Sequence, residues 1–450
     1  MLDRQSGHHQ NGICDDMSLD TYRAEILDPL FQRIRACESC ALVGCASMGK
    51  SRLLRFMLEP EARRRYLGDQ ADATLFAYGD CNRLAEVSEW GFFELLLTAL
   101  VEACGQHPEL HHLRNELNVL RREVIIGHEA LLARRHLELA ALMICRERGF
   151  RLCIILDEFD EAYRALPALA LANLRALRDD NKAWLSYLLV LRDHPANLRL
   201  PTECEGFYEL FSRSVLGLKP YSAADAGRVI EQLEARWNHP LTPEDRATLI
   251  AESGGHPGLI VAMFANRVGG LTDDAIIREE CDKLWASLSE DEQKALYRLV
   301  HGRDIRPDAA MAELELKGLV NEGRVFSPIF ARYVCEHGAP APGRLIVDEL
   351  ECTVWVDGRK HTDLTPREFN LLSLLNKSPG QVYDRQQILE ALNPGERFDG
   401  LQHNSVDAMV KRIRKKIEPI PNRPRYLLTV RGKGYKLVVD GEAAPDADGA

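Results

Sequence analysis

Three stretches of this chain have residue types and spacings that could do chemistry. The first is "GCASMGKS", Gly44 to Ser51, set between the apolar "ALV" and the helix-like "RLLRFML". Between a strand and a helix, such a loop turns backbone N–H groups inward around phosphates, and the start of the helix adds a favourable dipole. Gly44 and Gly49 permit the turn, Lys50 is expected to reach the β and γ phosphates, and the Ser51 hydroxyl to join a Mg²⁺ shell. The second is "LCIILDE", an apolar run ending on Asp157 and Glu158. In a parallel sheet both carboxylates fall at the carboxyl edge, where a phosphate loop also opens. Asp157 is then the Mg²⁺ ligand, through water, and Glu158 the base that orients the attacking water, a role worth about 10²–10⁴ in rate. The alternative is that "DEFDE" only caps the next helix, where acids are favoured anyway. Arg192, at the end of "LLVLR", is placed to read a γ phosphate, or is a solvated residue after a strand. In "SGGHPG", Gly255, His256 and Pro257 make a rigid turn that closes over a base or merely breaks a helix.

The third stretch is basic. Between Leu401 and Lys436 stand ten Lys and Arg against two acids, a local +8 in a chain of net charge −11. On a helical wheel of "NSVDAMVKRIRKKI", Val406, Val410, Ile413 and Ile417 form an apolar stripe. Asn404, Ala408, Lys411 and Lys415 fall opposite, with Arg412 beside them: a narrow, basic face that suits a helix entering a major groove. "RYLLTVRGKGYKLVV" follows as two strands around a turn, a wing whose Arg431 and Lys433 could touch phosphate or a minor groove. A solvated basic helix and hairpin is the alternative.

These residues need elements to position them. Apolar runs at "CALVG", "ATLFAYGD", "RLCIILD", "LSYLLVLR" and "SVLGLKPYS", separated by helical patterns that begin with an amphipathic one from about Ser18 to Arg35, predict a parallel sheet covered on both faces over 18–221. Residues 1–17 are expected to be disordered. A helical lid over 222–286 and a small winged helix over 287–336 follow, then a Pro- and Gly-rich linker at 337–343. A second unit spans 344–439, and an acidic tail, 440–450, ends the chain. In that second unit "LTPREFNLLSLL" opens a helix with Thr365 as N-cap, Pro366 at the first position and Glu368 closing a capping box.

Composition narrows the classes. With 450 residues, 46% of them hydrophobic and 28% charged, the chain can bury more than one core, and the acidic balance argues against a protein coated in nucleic acid. Twelve cysteines are too dilute for a disulfide scaffold, and "CESC" has no second ligand pair for zinc. The first twenty residues lack the order of an export signal and no apolar run reaches membrane-spanning length, so a cytoplasmic protein without membrane contact is expected.

The order "GCASMGKS", "IILDE", "VLR", "LKPYSAADA" and "GGHP", with a small winged helix after it, resembles the signal-transduction ATPases with numerous domains (STAND) and related archaeal ATPases over about 20–336. The resemblance implies ATP or ADP with Mg²⁺ at Gly44, Gly49, Lys50, Ser51 and Asp157, Glu158 as base, Arg192 as phosphate sensor and Pro257 near adenine, with slow hydrolysis used as a switch. The long repeat array that often serves such proteins as sensor is missing. "LTPREFNLLSLL", "GQVYDRQQIL", "SVDAMVKRIRKKI" and "TVRGKGYKL" closely resemble the winged-helix effector domain of OmpR/PhoB-type response regulators over about 343–439. That implies a four-strand lead-in sheet, a recognition helix over Ser405–Ile417, and binding to double-stranded promoter DNA as tandem or otherwise oligomeric protomers. RNA polymerase is the further partner such domains imply, although "NPGERFDGLQ" carries no signature for it; the usual receiver domain is replaced by the ATPase. The fold class is therefore α/β, a P-loop NTPase parallel sheet with a helical lid and small winged helix, followed by a winged helix-turn-helix. A nucleotide-switched transcription regulator is the expected function. Its rivals are a DNA-dependent ATPase of origin-recognition type and an adaptor that holds ADP without turnover.

Overall fold

The apolar runs form strands where their side chains can be covered on both faces. A computed structural model describes residues 22–84, 86–269, 274–302, 308–337, 345–348, 353–356, 359–361, 363–392, 403–418, 421, 424–430 and 432–439. The chain divides into two units, Met1–Glu336 and His337–Ala450; residues 338–343 of the expected linker lie outside the described residues.

In the first unit α1 (Ala24–Arg35) leads to β1 (Cys40–Val43), the phosphate-type loop, α2 (Lys50–Leu58) and α3 (Pro60–Leu67). The amphipathic pattern predicts a helix from about Ser18; residues 18–21 lie outside the described residues, and the described helix runs from Ala24, after Arg23 in the left-handed region at φ 43°. Strand β2 (Thr74–Asp80) is followed by α4 (Glu89–Gln106), α5 (Leu113–Gly127) and α6 (Ala130–Leu142). Then come β3 (Arg151–Asp157), α7 (Asp160–Ala165), α8 (Ala168–Asp180), β4 (Leu185–Leu191), α9 (Pro195–Leu198), α10 (Glu205–Tyr208) and β5 (Val215–Gly217). All four pairings in this sheet are parallel, in the order β2-β3-β4-β1-β5. Every residue of β1 and β4 is buried, as a sheet with helices on both faces requires.

That order does the positioning. Strand β4 lies between β1 and β3, with Val43 opposite Leu191 and Leu156 opposite Leu189. The loop after β1 and the acids after β3 therefore emerge at one edge, about 10 Å apart at the usual strand spacing, with the exit of β4 between them.

Four helices follow: α11 (Ala223–Trp237), α12 (Pro243–Ser253), α13 (Pro257–Val268) and α14 (Ala275–Ala286). The unit ends with α15 (Glu290–Val300), α16 (Ala309–Leu316), the hairpin β6 (Val320–Asn321) and β7 (Arg324–Val325), and α17 (Pro328–His337), a small winged helix as the pattern predicts.

The second unit has its own core, built from residues such as Leu371, Leu372, Ile388, Val410, Ile413 and Tyr426. An antiparallel sheet of β8 (Leu345–Asp348), β9 (Thr353–Val356) and β10 (Arg359–His361) leads in, so three of the four expected strands are seen among the described residues. Helices α18 (Pro366–Asn376), α19 (Arg385–Leu392) and α20 (His403–Ile417) precede the hairpin β11 (Leu427–Val430) and β12 (Gly434–Leu437). The capping box is formed as read: Thr365 accepts from the Glu368 N–H, and Glu368 from the Thr365 N–H at 2.9 Å.

Candidate nucleotide site and nucleic-acid interface

The loop between β1 and α2 has the backbone a phosphate cradle needs. Gly49 stands at φ +89°, and a Cβ there would be 3.4 Å from the Tyr221 hydroxyl and 3.6 Å from the Pro257 ring. Ser47, without glycine's freedom, is also left-handed at φ 55°. Lys50 is only 6% exposed, and its ammonium donates to the carbonyls of Gly44 at 2.8 Å and Cys45 at 3.4 Å. The nearest carboxylate to it is Glu158, Nζ to Oε1 3.8 Å. Burial pulls the Lys50 pKa below the ordinary lysine value, with Glu158 opposing. A buried ammonium satisfied by loop carbonyls is a group that a phosphate anion would suit better than its present partners. The residues therefore fit a phosphate group.

Across the sheet edge, Asp157 is buried and both its oxygens are engaged. Oδ2 accepts from the Tyr78 hydroxyl at 2.7 Å and Oδ1 from the Glu158 N–H at 3.0 Å. Burial raises its pKa, Glu158 adds to the rise, and the two hydrogen bonds resist it. Glu158 itself is left-handed, φ 50°, a conformation that costs a non-glycine residue roughly 1–3 kcal/mol and tends to persist where function holds it. Its carboxylate meets the Arg192 guanidinium, Nη2 to Oε2 2.6 Å and Nε to Oε2 2.8 Å. The residue read as base and the residue read as phosphate sensor are thus a pair. The backbone N–H of Arg192 donates to Asp160 Oδ1 at 2.9 Å, which fixes the exit of β4 against the start of α7. Ser51, on the first turn of α2, is exposed at this edge.

The "GGHP" turn closes on the loop. His256 is fully buried; its Nδ1 accepts from the Leu259 N–H at 3.2 Å, so Nε2 carries the proton and donates to the Ala46 carbonyl at 3.2 Å. Gly255, at φ +78°, lies so close to Tyr221 that a Cβ would be 2.2 Å from its carbonyl oxygen. The contacts of three residues escape sequence reading because their partners lie far away in the chain. Tyr78 stands 79 positions from Asp157. Arg23, wholly buried, donates to Met48 O at 3.0 Å and Lys219 O at 2.7 Å, with its guanidinium 4.1 Å from the Tyr221 ring centre. Lys317 reaches Asp193.

In the second unit Val406, Val410, Ile413 and Ile417 are buried as the wheel predicts, and Met409 widens that stripe. Ala408, Lys411 and Lys415 are exposed on the opposite side of α20. Asn404 is in this helix, but its side chain lies outside the described residues, as does Arg431 entirely. Arg412 is exposed yet stands 3.5 Å from Glu368, and Lys416 meets the same carboxylate at 2.8 Å. Arg414, not singled out by the wheel, donates to Leu427 O at 2.7 Å and Thr429 Oγ1 at 2.7 Å, which ties the helix to the wing strand β11. Lys433 is exposed at the turn of the wing.

With this geometry in view, residues 358–437 match the family model described as "Transcriptional regulatory protein, C terminal". The second unit is an OmpR/PhoB-type winged-helix domain. The winged-helix domain is similar to the alkaline phosphatase synthesis regulator SphR of Synechococcus elongatus, 45% identical over 87 residues, which are 19% of this chain and 33% of that protein. It is also similar to AfsQ1 of Streptomyces coelicolor, 39% identical over 95 residues, 21% of this chain and 41% of the relative. The chain thus spans well under half the length of these relatives. Among solved structures, the Klebsiella pneumoniae RstA DNA-binding domain in complex with RstA box is 33% identical, covers 21% of this chain and 92% of its own, and has a TM-score of 0.20. The ADP form of Aeropyrum pernix ORC2 is 15% identical over 76% of this chain and 90% of its own, with a TM-score of 0.41. Among the described residues no helix is long and apolar enough to cross a membrane.

Proposed function

We propose that the chain is a nucleotide-switched transcription regulator, in which ATP with Mg²⁺ at the loop of Lys50 controls engagement of double-stranded promoter DNA by α20 and the wing. The observation that carries this reading is Lys50. Its buried ammonium, held by carbonyls of its own loop, faces the same sheet edge as Asp157, Glu158 and Arg192, in a chain that also carries a DNA-binding-type domain.

Within the site, Lys50 would bind β and γ phosphate oxygens, and Ser51 and Asp157 would hold Mg²⁺, which when bound neutralises charge on those oxygens. The Arg192–Glu158 pair gives Arg192 a choice of anions. Against the carboxylate alone it leaves Glu158 engaged; drawn toward a phosphate, it frees Glu158 to accept a proton from water. That arrangement supports slow turnover and a site whose state is reported by which anion Arg192 holds. Pro257, whose ring would stand 3.6 Å from a Cβ placed on Gly49, fits a place beside the base.

A switch requires that ATP bind one arrangement more tightly than the other; equal affinity shifts nothing. The test is to measure affinity for a specific operator with no nucleotide, with ADP and with ATP. Different affinities among the three support the reading, and identical ones in every oligomeric form refute it. Fast hydrolysis stimulated by nonspecific DNA would instead indicate a remodelling ATPase, and ADP retained through purification with no turnover a structural nucleotide.

A further inference from the structure

We propose that Asp193 and Lys317 carry the state of the phosphate site to the small winged helix of the first unit, an inference that rests on nucleotide binding at Lys50.

Arg192 and Asp193 are consecutive residues at the exit of β4, yet their side chains meet different parts of the molecule. Arg192 pairs with Glu158 at 2.6 Å. Asp193 Oδ1 accepts from the Lys317 ammonium at 3.0 Å, and Lys317 stands at the end of α16, inside the small winged helix. Lys317 is 0% exposed and has a second carboxylate partner, Glu292 Oε1 at 2.7 Å, which belongs to the winged helix itself. The other oxygen of Glu292 is occupied by the N–H of Ser289 in the capping box of α15. One buried ammonium therefore joins a carboxylate of the nucleotide core to a carboxylate of the winged helix.

The backbones at this junction fit too closely to slide. A Cβ on Gly217, at the end of β5, would lie 1.7 Å from the Leu316 carbonyl oxygen, and one on Gly318 would lie 2.7 Å from Lys219 Cβ. A docking surface this tight has discrete arrangements rather than a continuum, which is what a two-state element needs. Asp193 follows Arg192 directly in the chain, so a backbone shift at the exit of β4 moves both side chains. A shift of the β4 exit against its Asp160 anchor as Arg192 changes anion would move the Asp193 carboxylate relative to a lysine that the winged helix holds. Loss of the Asp193 contact leaves the buried ammonium on Glu292 alone, so a displacement of Asp193 changes how the charge of Lys317 is balanced. The two carboxylates of Lys317 thus have different roles: Glu292 belongs to the winged helix, and Asp193 transmits.

The difference between them gives the test. Asp193→Asn and Glu292→Gln each remove one carboxylate from the same ammonium by an isosteric amide. Full-length wild type and both variants are titrated with a fluorescent ATP analogue, and hydrogen exchange of residues 309–325 is followed with and without ATP. In wild type and Glu292→Gln, ATP is expected to change exchange in that segment severalfold. In Asp193→Asn, ATP still binds and the change is lost. An Asp193→Asn protein that binds ATP and keeps the full nucleotide-dependent change overturns the proposal, as does a loss of equal size in both variants, which would indicate a merely structural pair. Failure of wild type to bind the analogue removes the nucleotide reading instead, and the titration reports that separately.

Discussion

At the scale of single residues, Lys50 and the exposed lysines of α20 make opposite uses of charge. Lys50 is buried at the start of α2, and its ammonium stands 3.8 Å from the Glu158 carboxylate. Lys50→Ala should therefore lower ATP affinity by about 100-fold or more, about 3 kcal/mol, as read by calorimetric titration. Unchanged affinity would mean that phosphates do not bind there. Lys411 and Lys415 are exposed, and their contribution to DNA binding would come from released counterions. Replacing either by Ala should reduce the slope of log affinity against log salt by about one unit per lost phosphate contact. Replacing Arg412 should change it less, because Glu368 already holds that guanidinium at 3.5 Å. An unaltered slope in the Lys411 and Lys415 variants would place α20 off the duplex.

At the scale of elements, one buried and one half-buried group titrate in the same pH range with opposite signs. His256 anchors the start of α13 to the loop through Ala46, and burial pushes its pKa down to about 4. The unfolded chain protonates it near 6.5, so its contribution is intact above that pH and is lost as pH falls toward 4, about 3 kcal/mol at most. Glu313 on α16 is pushed up to about 7, chiefly by burial, with Asp193 and Glu292 adding to the rise and Lys317 opposing it. His194 Nδ1 stands 3.8 Å from it. Its contribution is intact below about 4.5 and is lost as pH rises toward 7. The two trends oppose each other in wild type. Urea denaturation at pH 5 and pH 7 should show that His256→Asn, which keeps an acceptor for the Leu259 N–H, shifts the stability balance toward pH 5. Glu313→Gln should shift it toward pH 7, and shifts of the same sign in both variants would contradict the assignment.

Elements were also the scale at which the sequence was most readable. The capping box at Thr365 and Glu368 spans four residues, and the stripe of α20 repeats within one helix, so local spacing reveals both. Met409 was missed because a buried stripe on a packed helix is wider than one line of a wheel. The loop and its two carboxylates were legible as motifs, but their juxtaposition depends on β4 being inserted between β1 and β3, a choice made by packing of the whole sheet. The pairs Tyr78–Asp157 and Asp193–Lys317 link residues 79 and 124 positions apart, and no periodicity encodes such contacts.

At the scale of the whole molecule, the two units divide between Glu336 and His337 and each buries its own core. They should therefore unfold in two separable transitions. A ligand that binds only the folded first unit stabilises that unit by RT ln(1 + [L]/Kd), about 2.7 kcal/mol at a hundredfold excess over Kd, and leaves the other transition where it was. ATP with Mg²⁺ should accordingly raise one transition in a calorimetric scan, and operator DNA the other. Coupling is an addition to this behaviour and obeys reciprocity: if ATP changes operator affinity by some factor, operator must change ATP affinity by the same factor. Measuring both affinities, each with and without the other ligand, closes that cycle. Equal factors different from one establish a switch joining the two units. Factors of one in both directions, with the two transitions shifting independently, leave two working modules on one chain and remove the regulatory reading.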